Sequence, residues 1–247
     1  MNCLDSLLEP ANGSIASGSA RVIAVIGSGG KSTLLRALGM REVGRGGSAL
    51  LVTTTHFLPF EGIELVTSGD MDDVRDALDR GGIACVGTPT GDALGRLAAP
   101  TISLEELARA AGLVVVEADG SRRLPLKAHA PHEPVVPPEA TSTVAVVGAS
   151  GFGRRVADVM HRCELACERL GCSPDDAATP ELVARLMADE IARGLIAPDA
   201  LVVNQAETDV RRRAGRAFAT ALREEGCELP VLIGGIRSGE PERVDCR

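Results

Sequence analysis

The sequence predicts an α/β fold of the P-loop NTPase type, a mostly parallel sheet covered by helices on both faces. Three observations predict it. Apolar runs of strand length alternate with helix-periodic segments along the chain. Several of those runs are continuously apolar, as strands buried on both faces are. The first run feeds a glycine turn that opens a helix, an arrangement that aims backbone N–H groups and a helix dipole at one point.

The elements follow in order. Val22–Ile26 is the first strand and leads into Gly27-Ser28-Gly29-Gly30-Lys31-Ser32-Thr33, after which Leu34, Leu35 and Leu38 repeat at helical spacing. Ala49–Thr53, Ile83–Val86 and Leu113–Ala118 are the next strands. Ser103 with Glu106 forms a capping box, so a helix begins there. Thr143–Val147 is a strand that ends in the turn Gly148–Gly153 and a helical stretch. Thr179, Pro180 and Glu181 set a cap, a first-turn proline and an acid in the order that starts a helix, which Gly194 ends. Ala200–Asn204, a helix through Ala214–Glu225 stopped at Gly226, and the strand Pro230–Ile233 complete the series. No repeat or linker divides the chain, so residues 1–247 read as a single domain, with 1–20 an N-terminal extension and 120–138 an ordered loop rich in Pro, Arg and His.

Composition removes several function classes. The net charge is −8, no basic block is present, and only four aromatic residues, all Phe, are available for base stacking, so nucleic acid is not an expected partner. No apolar run approaches the ~20 residues of a membrane helix. Met1–Ala20 lacks the basic start and apolar stretch of a signal peptide, so the expected location is the cytoplasm, with the seven cysteines reduced. Only two lysines, Lys31 and Lys127, stand among 24 arginines, which marks both as positions that need an ammonium.

Lys31 ends the glycine turn. In such a loop the glycines let the backbone approach a phosphate, the lysine reaches the β/γ-phosphates and the Ser32 hydroxyl ligates Mg²⁺. The spacing Gly27-x-x-Gly30-Lys31-Ser32 is two residues shorter than the full pattern and is similar to the loops of Mur-type amide ligases, which keeps an ATP-dependent ligase or kinase as an alternative. The apolar strand at Leu113 ends in Glu117 and Asp119, two acids in phase, as expected of carboxylates that face a metal or a water. Asp119 is the expected partner of Ser32 on Mg²⁺, and Lys31, Glu117 and Asp119 are the expected catalytic set. Thr54, Thr55 and His56 lie past the second strand, at the sheet edge where open α/β sheets bind ligands.

The ordered set Gly27–Thr33, Val52–His56, Val116–Ala128, Pro131-His132-Glu133-Pro134, His161-Arg162 and Asn204–Glu207 resembles the YqeC family, the selenium-dependent molybdenum hydroxylase accessory proteins, also called selenium cofactor biosynthesis proteins. The resemblance runs from about Val22 to Arg237, and the Glu-Ala-Asp-Gly-Ser segment is its most specific part. The chain departs from the family pattern at His129 and Cys163, where proline is usual. Asn204 and Glu207 are similar to the guanine-reading element of GTPases, with Gln205 in the place of its lysine, so ATP and GTP both stay open. The resemblance implies a cytoplasmic P-loop protein that assists maturation of a molybdenum–selenium hydroxylase; joined to the phosphate-loop residues, the leading expectation is a Mg²⁺-dependent nucleotide-binding accessory protein, a slow NTPase, with the molybdenum cofactor as a client ligand. Its implied partner is a molybdenum hydroxylase or a molybdenum cofactor nucleotidyltransferase; a non-hydrolysing molybdenum-cofactor-binding chaperone is the alternative.

Ser121, Arg122, Arg123 and Lys127 gather cations behind the two acids and read as an anion clamp, joined by His132, His161 and Arg162 as substrate contacts. Cys163 and Cys167 share a helix face near Cys172, and packing is the expected role of this group. Gly148–Gly153 is expected to shape the pocket rim, with Arg154 or Arg155 turned inward.

Overall fold

The computed structural model describes residues 3–9, 21–239 and 241–244. Of the N-terminal extension, residues 1–2 and 10–20 lie outside the described residues. Nine strands make one sheet: β1 (Arg21–Gly27), β2 (Ala49–Thr53), β3 (Glu64–Val66), β4 (Ile83–Val86), β5 (Leu113–Glu117), β6 (Ser142–Gly148), β7 (Ala200–Asn204), β8 (Val231–Ile233) and β9 (Glu242–Val244). Across the sheet the order is β9, β8, β7, β6, β1, β5, β2, β4, β3, and only the β8–β9 pair is antiparallel. The seven expected strands are all present. The two additional ones, β3 and β9, are three-residue edge strands that are partly exposed, so neither carries the buried apolar run that marks the others.

Seven helices are described: α1 (Lys31–Gly44), α2 (Met71–Gly81), α3 (Leu104–Ala110), α4 (Val156–Val159), α5 (Cys163–Leu170), α6 (Pro180–Ala192) and α7 (Asp209–Glu224). Alternation within β1 sorts the core. Ile23 and Val25 face Leu34, Leu35 and Leu38 of α1, together with Leu4, Leu7 and Leu8 of a short 3₁₀ segment (Cys3–Leu8). Val22, on the opposite face, packs with α2 and α3, and Ala24 and Ile26 pack with α6 and α7. The expected helix signals operate as read: Ser103 and Glu106 close a capping box, the Thr179 hydroxyl accepts from Leu182 N–H, and Gly194 and Gly226 have positive φ just past their helices.

Two features of this frame position the site. β1 lies at the centre between β5 and β6, so the carboxyl ends of β1, β5, β6 and β7 bring Gly27, Glu117, Gly148 and Asn204 to one rim. Within the 120–138 loop, Leu126–Lys127 pairs in parallel with Met160–His161, which ties the loop to the start of α5.

Candidate functional site

Gly27–Thr33 wraps the amino end of α1. Gly27, Gly29 and Gly30 all have positive φ. At Gly29 a side chain is excluded by space as well, because a Cβ would stand 2.3 Å from Gly148 Cα and 2.8 Å from Pro125 O. Gly30 is the α1 N-cap and offers no capping side chain, nor is there an acid in the first turn, so the helix presents its N–H groups and dipole uncompensated. Asn204 buttresses the loop: its Nδ2 donates to Gly29 O at 2.9 Å and its Oδ1 accepts from Ile236 N–H at 3.1 Å.

Lys31 folds over the loop. Its Nζ donates to Gly27 O at 2.8 Å and lies 3.1 Å from Asp119 Oδ1 and 3.8 Å from Glu117 Oε1. The Ser32 hydroxyl donates to Glu117 Oε2 at 3.0 Å. Burial raises the Glu117 carboxyl above its ordinary value, and Lys31 and Ser32 offset that only in part.

Asp119, 0% exposed, is the hub behind the loop. Its Oδ2 accepts from Gly27 N–H at 2.8 Å and meets Lys127 Nζ and His129 Nε2, each at 3.1 Å. Burial opposes its charge, but Lys31, His129 and Lys127 overcome that and hold the carboxyl well below the usual range. Asp119, the acid expected beside Ser32, is taken up by the loop and by Lys31, Lys127 and His129, and the carboxylate that the Ser32 hydroxyl meets is Glu117. Lys127 also stands apart from its expected place. Expected in the anion clamp, it is internal, with its Nζ 3.0 Å from Glu133 Oε2 and donating to Gly120 O at 2.6 Å.

The network extends deeper. His129 Nδ1 meets Glu190 Oε2 at 2.7 Å, and Arg169 donates to Glu190 Oε1 at 2.7 Å and to His129 O at 2.6 Å. Burial disfavours the His129 cation, yet the bonds to Asp119 and Glu190 outweigh it and raise the imidazole pKa. Sequence reasoning missed Glu190 and Arg169. The available signal was an acid on the apolar stripe of α6, at helical spacing from the buried Val183, Leu186 and Met187.

In front of the loop opens a cleft of about 880 Å³. Of the expected residues it is lined by Gly29–Thr33, Thr55, His56, Glu117, Ser121, Arg122, Arg123, His161, Arg162, Asn204 and Glu207; Phe57, Leu58, Leu94, Arg96 and Arg237 join them. Gly27 and Ser28 lie behind it, and Ser28 Oγ donates to Leu124 O. Three expected contacts stand elsewhere. Thr54 donates to Val135 O at 2.8 Å, His132 is exposed outside the lining, and Arg155 pairs with Asp158 and Asp175. Arg154 is likewise not among the lining residues. Arg162 is held by Glu133 at 2.9 Å, Glu207 by Arg211 at 3.4 Å, and burial with the nearby Lys127 and Arg162 charges lowers the His161 pKa.

The cleft also holds backbone strain. Among the described residues four non-glycine residues have positive φ, Arg122, Arg123, Arg162 and Gln205, and all four line it. Each costs ~1–2 kcal/mol relative to ordinary backbone, and such residues gather where function overrides local preference.

The family model for YqeC protein matches residues 23–164, more than half of the chain. The chain belongs to the YqeC family. The uncharacterized protein YqeC of Escherichia coli (strain K12) is 31% identical over 159 residues, a match spanning 62% of this chain and 62% of that relative. Among solved structures, chloroplast FtsY from Physcomitrella patens gives a TM-score of 0.47 at 13% identity, covering 90% of this chain and 62% of that one. Hydrogenase maturation factor HypB from Archaeoglobus fulgidus gives 0.43 at 10% identity, covering 96% of this chain and 92% of that one. The YqeC match ends at residue 164 and so spans the loop, both acids and the start of α5, while Asn204 and Glu190 lie beyond it.

Proposed function

We propose that this YqeC-family chain is a Mg²⁺-dependent, nucleoside-triphosphate-binding accessory protein of the cytoplasm. In this reading it is a slow NTPase that helps mature a selenium-dependent molybdenum hydroxylase. The observation that carries the nucleotide reading is the glycine loop with Lys31 and Ser32 facing a cleft lined by cations in a chain of net charge −8. The loop N–H groups and Lys31 take the phosphate charge, and Ser32 with Glu117 holds Mg²⁺. Two oxygen donors 3.0 Å apart suit a hard cation that completes its shell with phosphate oxygens and water, and a cation there would relieve the buried Glu117. Bound Mg²⁺ would neutralise charge on the transferring phosphoryl group. Asp119 positions Lys31 and the first N–H of the loop. ATP and GTP fit this reading equally, because the Asn204 amide is spent on Gly29 and Ile236.

Arg122, Arg123 and Arg237 are exposed and form no ion pair with the described residues, so the same cleft has charge left for a second anionic ligand, with the molybdenum cofactor as candidate client. The partner is a molybdenum hydroxylase or a molybdenum cofactor nucleotidyltransferase. The test is thermal stabilisation by Mg·ATP, Mg·GTP and molybdenum cofactor, with phosphate release measured in parallel. A nucleotide at 100 times its Kd adds ~2.7 kcal/mol, a Tm rise of about 5–11 °C. Loss of that shift in Lys31→Ala supports the loop assignment; an equal shift in the variant overturns it. Stabilisation without phosphate release identifies a non-hydrolysing carrier.

A further inference from the structure

We propose that Cys167 and Cys172 form a redox-active dithiol, which peroxide converts to an intrachain disulfide. Their sulfurs stand 3.5 Å apart. The geometry has a local cause. α5 ends at Leu170, Gly171 takes a left-handed φ of 67°, and its N–H donates to Cys167 O at 2.9 Å, so the chain reverses and lays residue 172 against residue 167. Beyond Cys172, Ser173 N–H donates to Asp176 Oδ2 at 2.8 Å and Asp176 N–H to Ser173 O at 3.0 Å, which fixes the returning strand of the turn. Both thiols are half-buried and open to a small oxidant, whereas Cys85 is fully buried with its pKa pushed up to about 12.

The chemistry balances with hydrogen peroxide as oxidant. Burial and the neighbouring Cys172 push the Cys167 thiol up to about 11, which disfavours Cys167 as the first nucleophile. The Cys172 thiolate bonds to one peroxide oxygen, the O–O bond breaks, and the departing hydroxide takes a proton to become water, leaving a sulfenic acid. The Cys167 sulfur then attacks that sulfur; the S–O bond breaks and the leaving hydroxide, with the Cys167 proton, becomes the second water. Two thiols are oxidised and one peroxide is reduced.

The position gives the bond a reach beyond its own turn. Arg169 lies inside the loop that a 167–172 bond would close, and Arg169 holds both Glu190 and the His129 carbonyl. Oxidation therefore staples the turn that supports the ion network behind the phosphate loop.

The experiment uses the full chain and does not depend on nucleotide binding. Peroxide treatment is expected to lower the intact mass by two hydrogens, and peptide mapping should place the bond between Cys167 and Cys172 with Cys163 still alkylatable. Cys163→Ser should still form it; Cys172→Ser and Cys167→Ser should not. Phenylarsine oxide, which needs two thiols in reach, should bind one-to-one to the reduced wild type and not to Cys167→Ser. The proposal is overturned by a bond mapped to any other pair, by oxidation of isolated thiols to sulfinic acid, or by wild type that keeps all its thiols and ignores the arsenical.

Discussion

Lys127→Met is the most informative single change, because the residue has two incompatible readings. As a surface cation it would contact an anionic ligand, and its loss would weaken binding while leaving stability alone. In the structure its side chain is 1% exposed and lies between two carboxylates, at 3.1 Å from Asp119 and 3.0 Å from Glu133. Removing one partner of a buried ion pair costs ~3–5 kcal/mol because an uncompensated charge stays behind. Here Asp119 keeps Lys31 and His129, and Glu133 keeps Arg162, so the loss falls at the lower end, about 3 kcal/mol. For a chain of this size that is a Tm drop of about 6–12 °C by calorimetry. The Glu133→Gln change should cost less in the Lys127→Met background than in wild type, since the charge it removes is then partly unpaired. A Tm within about 2 °C of wild type, together with weaker binding of nucleotide or cofactor, would refute the internal assignment and restore Lys127 to the ligand-contacting set.

Four further outcomes are expected. Gly29→Ala should abolish nucleotide-dependent thermal stabilisation, because its methyl would meet backbone at 2.3 Å on a φ of 92°. Arg123→Gly should raise Tm by about 2–4 °C through relief of ~1 kcal/mol of left-handed strain while weakening anion binding, a split that a purely structural arginine would not give. Asn204→Ala leaves Gly29 O and Ile236 N–H without partners, a loss of ~1–3 kcal/mol measurable by urea denaturation. His129 carries a raised pKa, so the stability it contributes is complete below its unfolded value of about 6.5 and is lost as pH rises through the folded value. The Tm gap between wild type and His129→Gln should therefore be widest near pH 6 and shrink in alkali; a gap that widens with pH contradicts this.

The frame was largely legible because its signals are local. Buried strands announce themselves as apolar runs, and the limits of β2, β4 and β7 are those read from the letters. The loop was legible for the same reason, as glycines, lysine and serine sit side by side. What the letters did not reveal is partnership. Asp119 and Glu117 stand two residues apart and differ only in what the fold brings to each: Ser32 to Glu117, and Lys127 and His129 to Asp119. Lys127 looked like a loop cation because the pairing of Leu126–Lys127 with Met160–His161, which turns it inward, joins segments more than thirty residues apart. Glu190 is easily passed over beside Asp189, and only its place on the apolar stripe of α6 separates the two.

The tie from Asn204 to Gly29 joins residues 175 positions apart. The consequence concerns synthesis. The glycine loop leaves the ribosome early, but the side chain that buttresses it arrives only after α6 and β7 have been made. Contacts of such separation close late and slowly, since the intervening chain must be ordered first. A nascent chain stopped at residue 164 would carry every letter of the loop but lack Asn204, so the loop would gain this buttress only near the end of translation.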